Sequence, residues 1–340
     1  MSDVIGKYFV ERYFSESKKQ YAEKVIEYIT QSMINRIPNV EWLDDETIEY
    51  AYKKIAAMKT IVGYQDSMIK PEILFEKYNQ IEINEDDFFN NIVNIYYNKN
   101  KRDLKYIKAS KDEINVDLPP QTVNAAYIIT KNEINIPAGI LQPPFFSSGI
   151  PDYINYGSIG STIGHELTHG FDYTGKDYDM NGDYSKWWTD NDMEEYEDLS
   201  KCFINQYSEF SILDNKGQKH NVNGKITLNE NIADNGGLAR AYESWKISLM
   251  EDDETVRKGN QQLPGLTQFT PEQLFFISFG HTWCENYIDE ESTIKGIITE
   301  KHSPGFARIN GAVSNSKQFA EAFNCPLKSK MNPENKCRIW

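Results

Sequence analysis

Apolar residues recur every three to four positions through the first hundred residues, a spacing that predicts helices. Ala22, Val25, Ile26, Ile29, Met33 and Ile37 fall on one stripe of a helix over residues 19–37. A second helix begins near Asp44-Asp45, carries Ile48, Ala51, Ile55 and Met58, and stops by Gly63. A third runs from about Asp86 through Phe89, Ile92, Val93 and Tyr96 toward the charged stretch from Lys99 to Lys105. The pattern then changes. Ala125 to Thr130 and Glu133 to Ile136, joined by the polar pair Lys131-Asn132, read as a hairpin bounded by turn residues. The expected fold class is mainly α with a small β-sheet (α+β), and no fixed-period repeat or low-complexity linker interrupts the chain.

The segment Gly164-His165-Glu166-Leu167-Thr168-His169 adds chemistry to that pattern. On a helix, His165 and His169 project from one face and can grip one metal ion, with Glu166 beside the first imidazole. Neutral imidazoles suit zinc, which in catalytic sites takes three protein ligands and leaves a fourth position for water. Water at such an ion has its pKa lowered to about 7, and Glu166 is placed to act as its base. A third ligand is therefore required. Downstream, Glu230 and Asp234 share a helical face at i and i+4 in Thr227-Leu228-Asn229-Glu230-Asn231-Ile232-Ala233-Asp234-Asn235-Gly236-Gly237. Glu230 completes a His, His, Glu set, and Asp234 is placed to accept the free ring N–H of a ligating histidine. Thr227-x-x-Glu230 also reads as a capping box, an alternative that leaves the glycine pair unexplained.

These residues carry a family resemblance. The chain resembles the neprilysin (endothelin-converting enzyme) family of zinc metallopeptidases, the gluzincin type. The shared blocks are Val123-Asn124-Ala125-Ala126-Tyr127, residues 137–146, residues 163–172, residues 230–238, His302-Ser303-Pro304-Gly305 and the terminal Cys337-Arg338-Ile339-Trp340. They occur in family order along nearly the whole chain. The resemblance implies a zincin-like catalytic domain over 116–340, preceded by a helical region over 1–115. It implies one zinc ion per chain on His165, His169 and Glu230, with Glu166 as base and Asp234 supporting a ligand. His302 then takes a transition-state role, donating a hydrogen bond to the oxyanion. Arg308 corresponds to an arginine that holds a substrate carbonyl. Asn124 and Ala125 dock the peptide as an added antiparallel strand. Ile140, Phe145 and Trp283 match the apolar pocket for the residue after the cleaved bond, implying cleavage before large hydrophobic residues.

Family members are longer, and this chain begins in what would be their middle. In relatives the other half closes over the zinc site and limits substrate size, so the expectation divides. Either a second chain supplies that half, or the cleft is open, or the chain is a catalytically silent form that binds peptide or a protein partner. A zinc hydrolase with a non-peptide substrate is a remoter alternative, disfavoured by the Asn124-Ala125 segment.

Composition narrows the partners. The chain has 340 residues, 39% of them hydrophobic, enough to bury a sizeable core. Lys plus Arg number 36 against 51 Asp plus Glu, a net charge of −15 that disfavours nucleic acid and anionic membranes and favours divalent cations. No apolar run approaches about 18 residues, so no membrane span is expected. The start, broken by Asp3, Lys7, Glu11 and Arg12, lacks the apolar core of a secretory signal, and no Asn-x-Ser/Thr sequon occurs. Four cysteines allow three connectivities. The resemblance pairs Cys202 with Cys337, leaves Cys284 and Cys325 unassigned unless they bond each other, and suggests an extracellular ancestry that the amino terminus does not itself encode.

Overall fold

A computed structural model describes residues 1–111, 118–251, 254–286 and 289–340. Among these residues five helices precede the hairpin: α1 (Ser2–Tyr13), α2 (Glu16–Arg36), α3 (Asp45–Ala56), α4 (Pro71–Tyr78) and α5 (Phe88–Asp103). Nine follow: α6 (Asp152–Asn155), α7 (Ser161–His169), α8 (Asp190–Ser208), α9 (Leu228–Ser248), α10 (Glu254–Gly259), α11 (Pro271–Thr282), α12 (Glu290–Thr299), α13 (Gly305–Asn315) and α14 (Lys317–Ala322). The fold is mainly α with small sheets, as the periodicity predicts. None of the described helices is long and apolar enough to cross a membrane.

The predicted stripe of the first helix is buried throughout: Ala22, Val25, Ile26, Ile29 and Met33 lie in the core, with Ile37 just beyond the helix end. Ser15 caps α2 by accepting from the Lys18 N–H. The second prediction needs correction. Its helix ends at Ala56, and Lys59–Gly63 forms a strand, β1. The β-branched run Thr60-Ile61-Val62 favours extended backbone, and Gly63 has φ of +78°, where a side chain would be strained. The third helix exists as α5, started by Asp87 accepting from the Asn90 N–H. Its apolar residues nevertheless stay accessible, with Phe89 74% and Tyr96 61% exposed.

The hairpin comprises β2 (Ala126–Ile128) and β3 (Glu133–Pro137), paired antiparallel with Tyr127 opposite Ile134. Asn132 makes the turn in the left-handed region at φ 49°. Strand β1 pairs parallel to β3 on the far side, giving the order β1-β3-β2 and leaving β2 at the edge. A separate two-stranded ribbon joins β4 (Ser211–Leu213) and β5 (Lys219–Asn221). The first sixty-odd residues are thus built into the same sheet and core as the motif helices. The expected boundary near residue 115 falls within 112–117, outside the described residues.

At the centre α7 packs against α9 through glycines. A Cβ on Gly237 would lie 2.5 Å from the His165 backbone nitrogen, and one on Gly164 would lie 2.7 Å from the Gly237 carbonyl oxygen. Only hydrogen at both positions allows this approach. The glycine pair that a solvent-facing helix would not need is therefore what brings the two motifs together. Nearly every face of α9 is buried, and several of its polar side chains find partners there: Asn231 donates to the Thr227 hydroxyl, and Arg240 donates through Nη1 to Ser32 and Glu243.

Candidate metal centre

Helix α7 continues from α6 through a wide π turn at residues 156–160, so that one helical rod delivers His165, Glu166 and His169. Ser158 donates to the Phe145 carbonyl, tying the rod to its surroundings, and Ser161 donates back to the Gly157 carbonyl within it. All three motif side chains face inward, with His165 and Glu166 buried and His169 partly so. The His165 and His169 Nε2 atoms stand 3.0 Å apart. Glu230 Oε2, from the first turn of α9, is 3.2 Å from the first and 3.6 Å from the second. Among the described residues these three form the one group whose ligand atoms all lie within 4.8 Å of one another.

The other nitrogens explain why this convergence suits a cation. His165 Nδ1 lies 2.9 Å from Asp234 Oδ1, and His169 Nδ1 lies 2.6 Å from Asp172 Oδ2. Each carboxylate accepts the Nδ1 proton, so in the neutral rings both Nε2 lone pairs point toward the same place as the Glu230 carboxylate. Three electron-pair donors then converge, and Glu230 Oε2 is buried without a hydrogen-bond donor. Such a cluster is repulsive unless a proton or metal ion lies among the donors, and an N, N, O set at this spacing fits zinc.

Electrostatics agree. Burial works against charge on both imidazoles, yet Asp234 and Glu230 raise the His165 pKa, and Asp172 and Glu230 raise that of His169 well above its ordinary value. Burial likewise opposes ionisation of Glu230 and Asp234. Glu230 is nonetheless held low by His165, His169 and His302, and Asp234 by the Arg308 charge and its hydrogen bonds. The site stores positive charge in any form available.

The remaining predicted residues fall at different distances from this point. His302, 45% exposed on its side chain, places Nε2 3.3 Å from Glu230 Oε2. Its loop is anchored by Ser303 donating to Asn231 Oδ1 at 2.7 Å. Arg308 on α13 grips Asp234 with Nε at 2.7 Å and Nη2 at 2.6 Å, and its guanidinium lies 3.6 Å from the Trp283 ring centre. Asn124 and Ala125 immediately precede edge strand β2. A cleft of about 220 Å³ beside His169 and Glu230 is lined by Tyr127, Ile129, Thr174, Asn229 and Lys301 among others, without Ile140, Phe145 or Trp283. Ile140 is core, while Phe145 and Trp283 pack partly buried against it. A larger cavity of about 570 Å³, around Tyr21, Tyr28 and Asp152, contains none of the converging groups.

One alternative reading falls. The capping box is overturned: Thr227 makes no cap bond and donates instead to the Asn223 carbonyl, while Glu230 turns to the histidines. Asp172 was not singled out from the sequence, although its place three residues after His169 in Gly170-Phe171-Asp172 is the available signal. The cysteines also resolve, with Cys202 bonded to Cys337 and both Cys284 and Cys325 free thiols.

The comparisons agree with this geometry. Residues 124–339 match peptidase family M13, and residues 1–65 match that family's amino-terminal section. The chain is 40% identical over 336 residues to an endothelin-converting enzyme homolog of Locusta migratoria, covering 99% of this chain and 45% of that protein. It is 39% identical over 342 residues to neprilysin of Homo sapiens, covering 100% of this chain and 44% of the relative. It superposes on the zinc metalloprotease ZMP1 of Mycobacterium tuberculosis, solved with an inhibitor, with a TM-score of 0.86 at 31% identity, covering 100% of this chain and 49% of that one. The chain spans less than half the length of these relatives. With converging donors, a matched family and a shared fold in agreement, the chain belongs to peptidase family M13.

Proposed function

We propose that this chain carries the catalytic centre of a zinc endopeptidase acting on oligopeptides, with residues 116–340 as the catalytic region and 1–115 as a helical region that lends it α2 and β1. The observation that carries the reading is the convergence of His165, His169 and Glu230 around one point, with Glu166 buried on the same helix. His165, His169 and Glu230 hold the zinc ion, one per chain. When bound, zinc polarises the substrate carbonyl and makes water a nucleophile near neutral pH.

The chain's own groups do the rest. Glu166 takes the proton from the attacking water and passes it to the leaving amine. Asp234 and Asp172 keep the imidazoles in the tautomer that presents Nε2. Arg308 holds Asp234, and its remaining donors serve a substrate carbonyl. His302 donates to the oxygen on which negative charge develops, where a preorganised donor has most effect. Substrate backbone adds to the free edge of β2 through Asn124 and Ala125. Ile140, Phe145 and Trp283 contribute to an apolar preference after the cleaved bond. A catalytically silent role that binds peptide or a protein partner through the same edge strand is the second reading.

The test is a mixed peptide library digested by zinc-loaded protein with and without chelator, with cut sites read by mass spectrometry. Chelator-sensitive cuts before large apolar residues support the peptidase. Library peptides that bind yet stay intact would favour the silent reading.

A further inference from the structure

Lys54 is fully buried on α3, outside every motif, and its Nζ donates to three backbone carbonyls: Gly170 at 2.6 Å, Gly175 at 2.8 Å and Tyr178 at 2.7 Å. An ammonium has three N–H donors and no acceptor, so this triad matches the charged group with nothing left over. The three carbonyls bracket one loop, residues 170–178, that leaves the end of α7. Asp172 stands inside that loop. Its Oδ1 accepts the Thr174 and Gly175 N–H groups at 2.8 and 2.6 Å, leaving Oδ2 on His169 Nδ1. Gly175 thus gives its N–H to Asp172 and its carbonyl to Lys54, a direct mechanical link between the two side chains.

The surroundings argue against a filler role. Burying a lysine is costly, and here the cost is offset by matching all three N–H donors to backbone carbonyls of a single loop. Burial pushes Lys54 down to about 7, while Asp172, Asp179 and Asp177 favour its charged form. The rings of Phe171 and Trp187, centred 5.4 and 5.5 Å from Nζ, close the shell. The charge also meets the carbonyl end of α7, where a cation is favoured. Lys54 reaches the hairpin as well, since Asn132 Nδ2 donates to the Lys54 carbonyl and the Tyr127 hydroxyl to Asn132 Oδ1.

We infer that Lys54 is a positioning residue for the metal centre: its ammonium pins loop 170–178 so that Asp172 holds the His169 Nδ1 proton and His169 Nε2 faces the point of convergence. The inference deepens the proposed zinc site and rests on that reading. Its test uses the full chain, with zinc affinity from chelator competition and the visible spectrum of the cobalt-substituted protein as readouts. Lys54→Met should weaken zinc binding by about 10-fold, the usual worth of a group supporting a ligand, and shift the cobalt bands. Asp172→Asn should do the same. The double variant should be no weaker than the weaker-binding single, because both act through one path. Unchanged affinity and spectrum in Lys54→Met, even with a lower melting temperature, overturn the inference, as do losses that simply add. Lys54→Gln keeps two donors and carries the same test if the methionine variant does not fold; a loss of affinity supports the inference and wild-type affinity overturns it. Failure of the unsubstituted chain to bind zinc overturns the proposed function as well, which separates the two.

Discussion

Each imidazole at the centre has one nitrogen committed to a carboxylate, and that commitment decides what the other nitrogen can do. With the Nδ1 proton held by Asp234 or Asp172, Nε2 is the nitrogen left to take up a further proton or a metal. The raised pKa values of His165 and His169 then have a sign: without metal, protons stay on these rings above the pH at which a free histidine would lose them. Protonation of the metal-free form therefore competes with zinc, and affinity should fall as pH is lowered through those raised values. Calorimetric titrations in buffers of different ionisation heat should show proton release on zinc binding; identical heats in all buffers would contradict it. Glu230→Ala should weaken zinc binding sharply, measured as bound metal per chain after dialysis. Glu166→Gln should retain zinc and lower peptide turnover by roughly 10² to 10⁴, the ordinary worth of a general base. The His-Glu-x-x-His spacing made this residue-level chemistry legible. Asp172 escaped notice because one hydrogen bond three residues back leaves no periodic signature, and Ser303 because its partner Asn231 lies 72 residues away.

Between elements, the decisive contact is the seam of α7 on α9. A methyl group at Gly237 would meet backbone, which cannot swing aside as a side chain can. Gly237→Ala should cost about 1–3 kcal/mol in chemical denaturation, as overpacking usually does, and should weaken zinc binding by parting Glu230 from the histidines. A variant with normal stability and zinc affinity would show that the seam is slack. Helix periodicity located α2 and α5 within a few residues but could not say what covers them: the α2 stripe is core, while Phe89 and Tyr96 on α5 remain exposed. Strand β1 was missed because its partner β3 lies more than seventy residues away, beyond the reach of any local pattern.

Across the whole molecule, the terminal segment is folded back onto the centre. The Cys202–Cys337 bond closes a loop with a sequence separation of 135, and Trp340 Nε1 donates to the carbonyl of Phe171, next to Asp172. Replacing both cysteines by serine should lower stability by about 2–5 kcal/mol, read from the denaturant midpoint, because the unfolded chain regains its freedom. An unchanged midpoint would mean the aromatic packing of Trp340 holds the segment alone. The sequence by itself determined the helical class, the hairpin and the metal-binding residue types, because each is written in spacings shorter than a few turns of chain. Only the tertiary structure decided that Glu230 serves the histidines instead of capping its own helix, that Arg308 engages Asp234, and that Lys54 belongs to the centre at all. Those choices depend on close approach between segments remote in sequence, where burial makes an unpartnered polar group costly and so selects one partner.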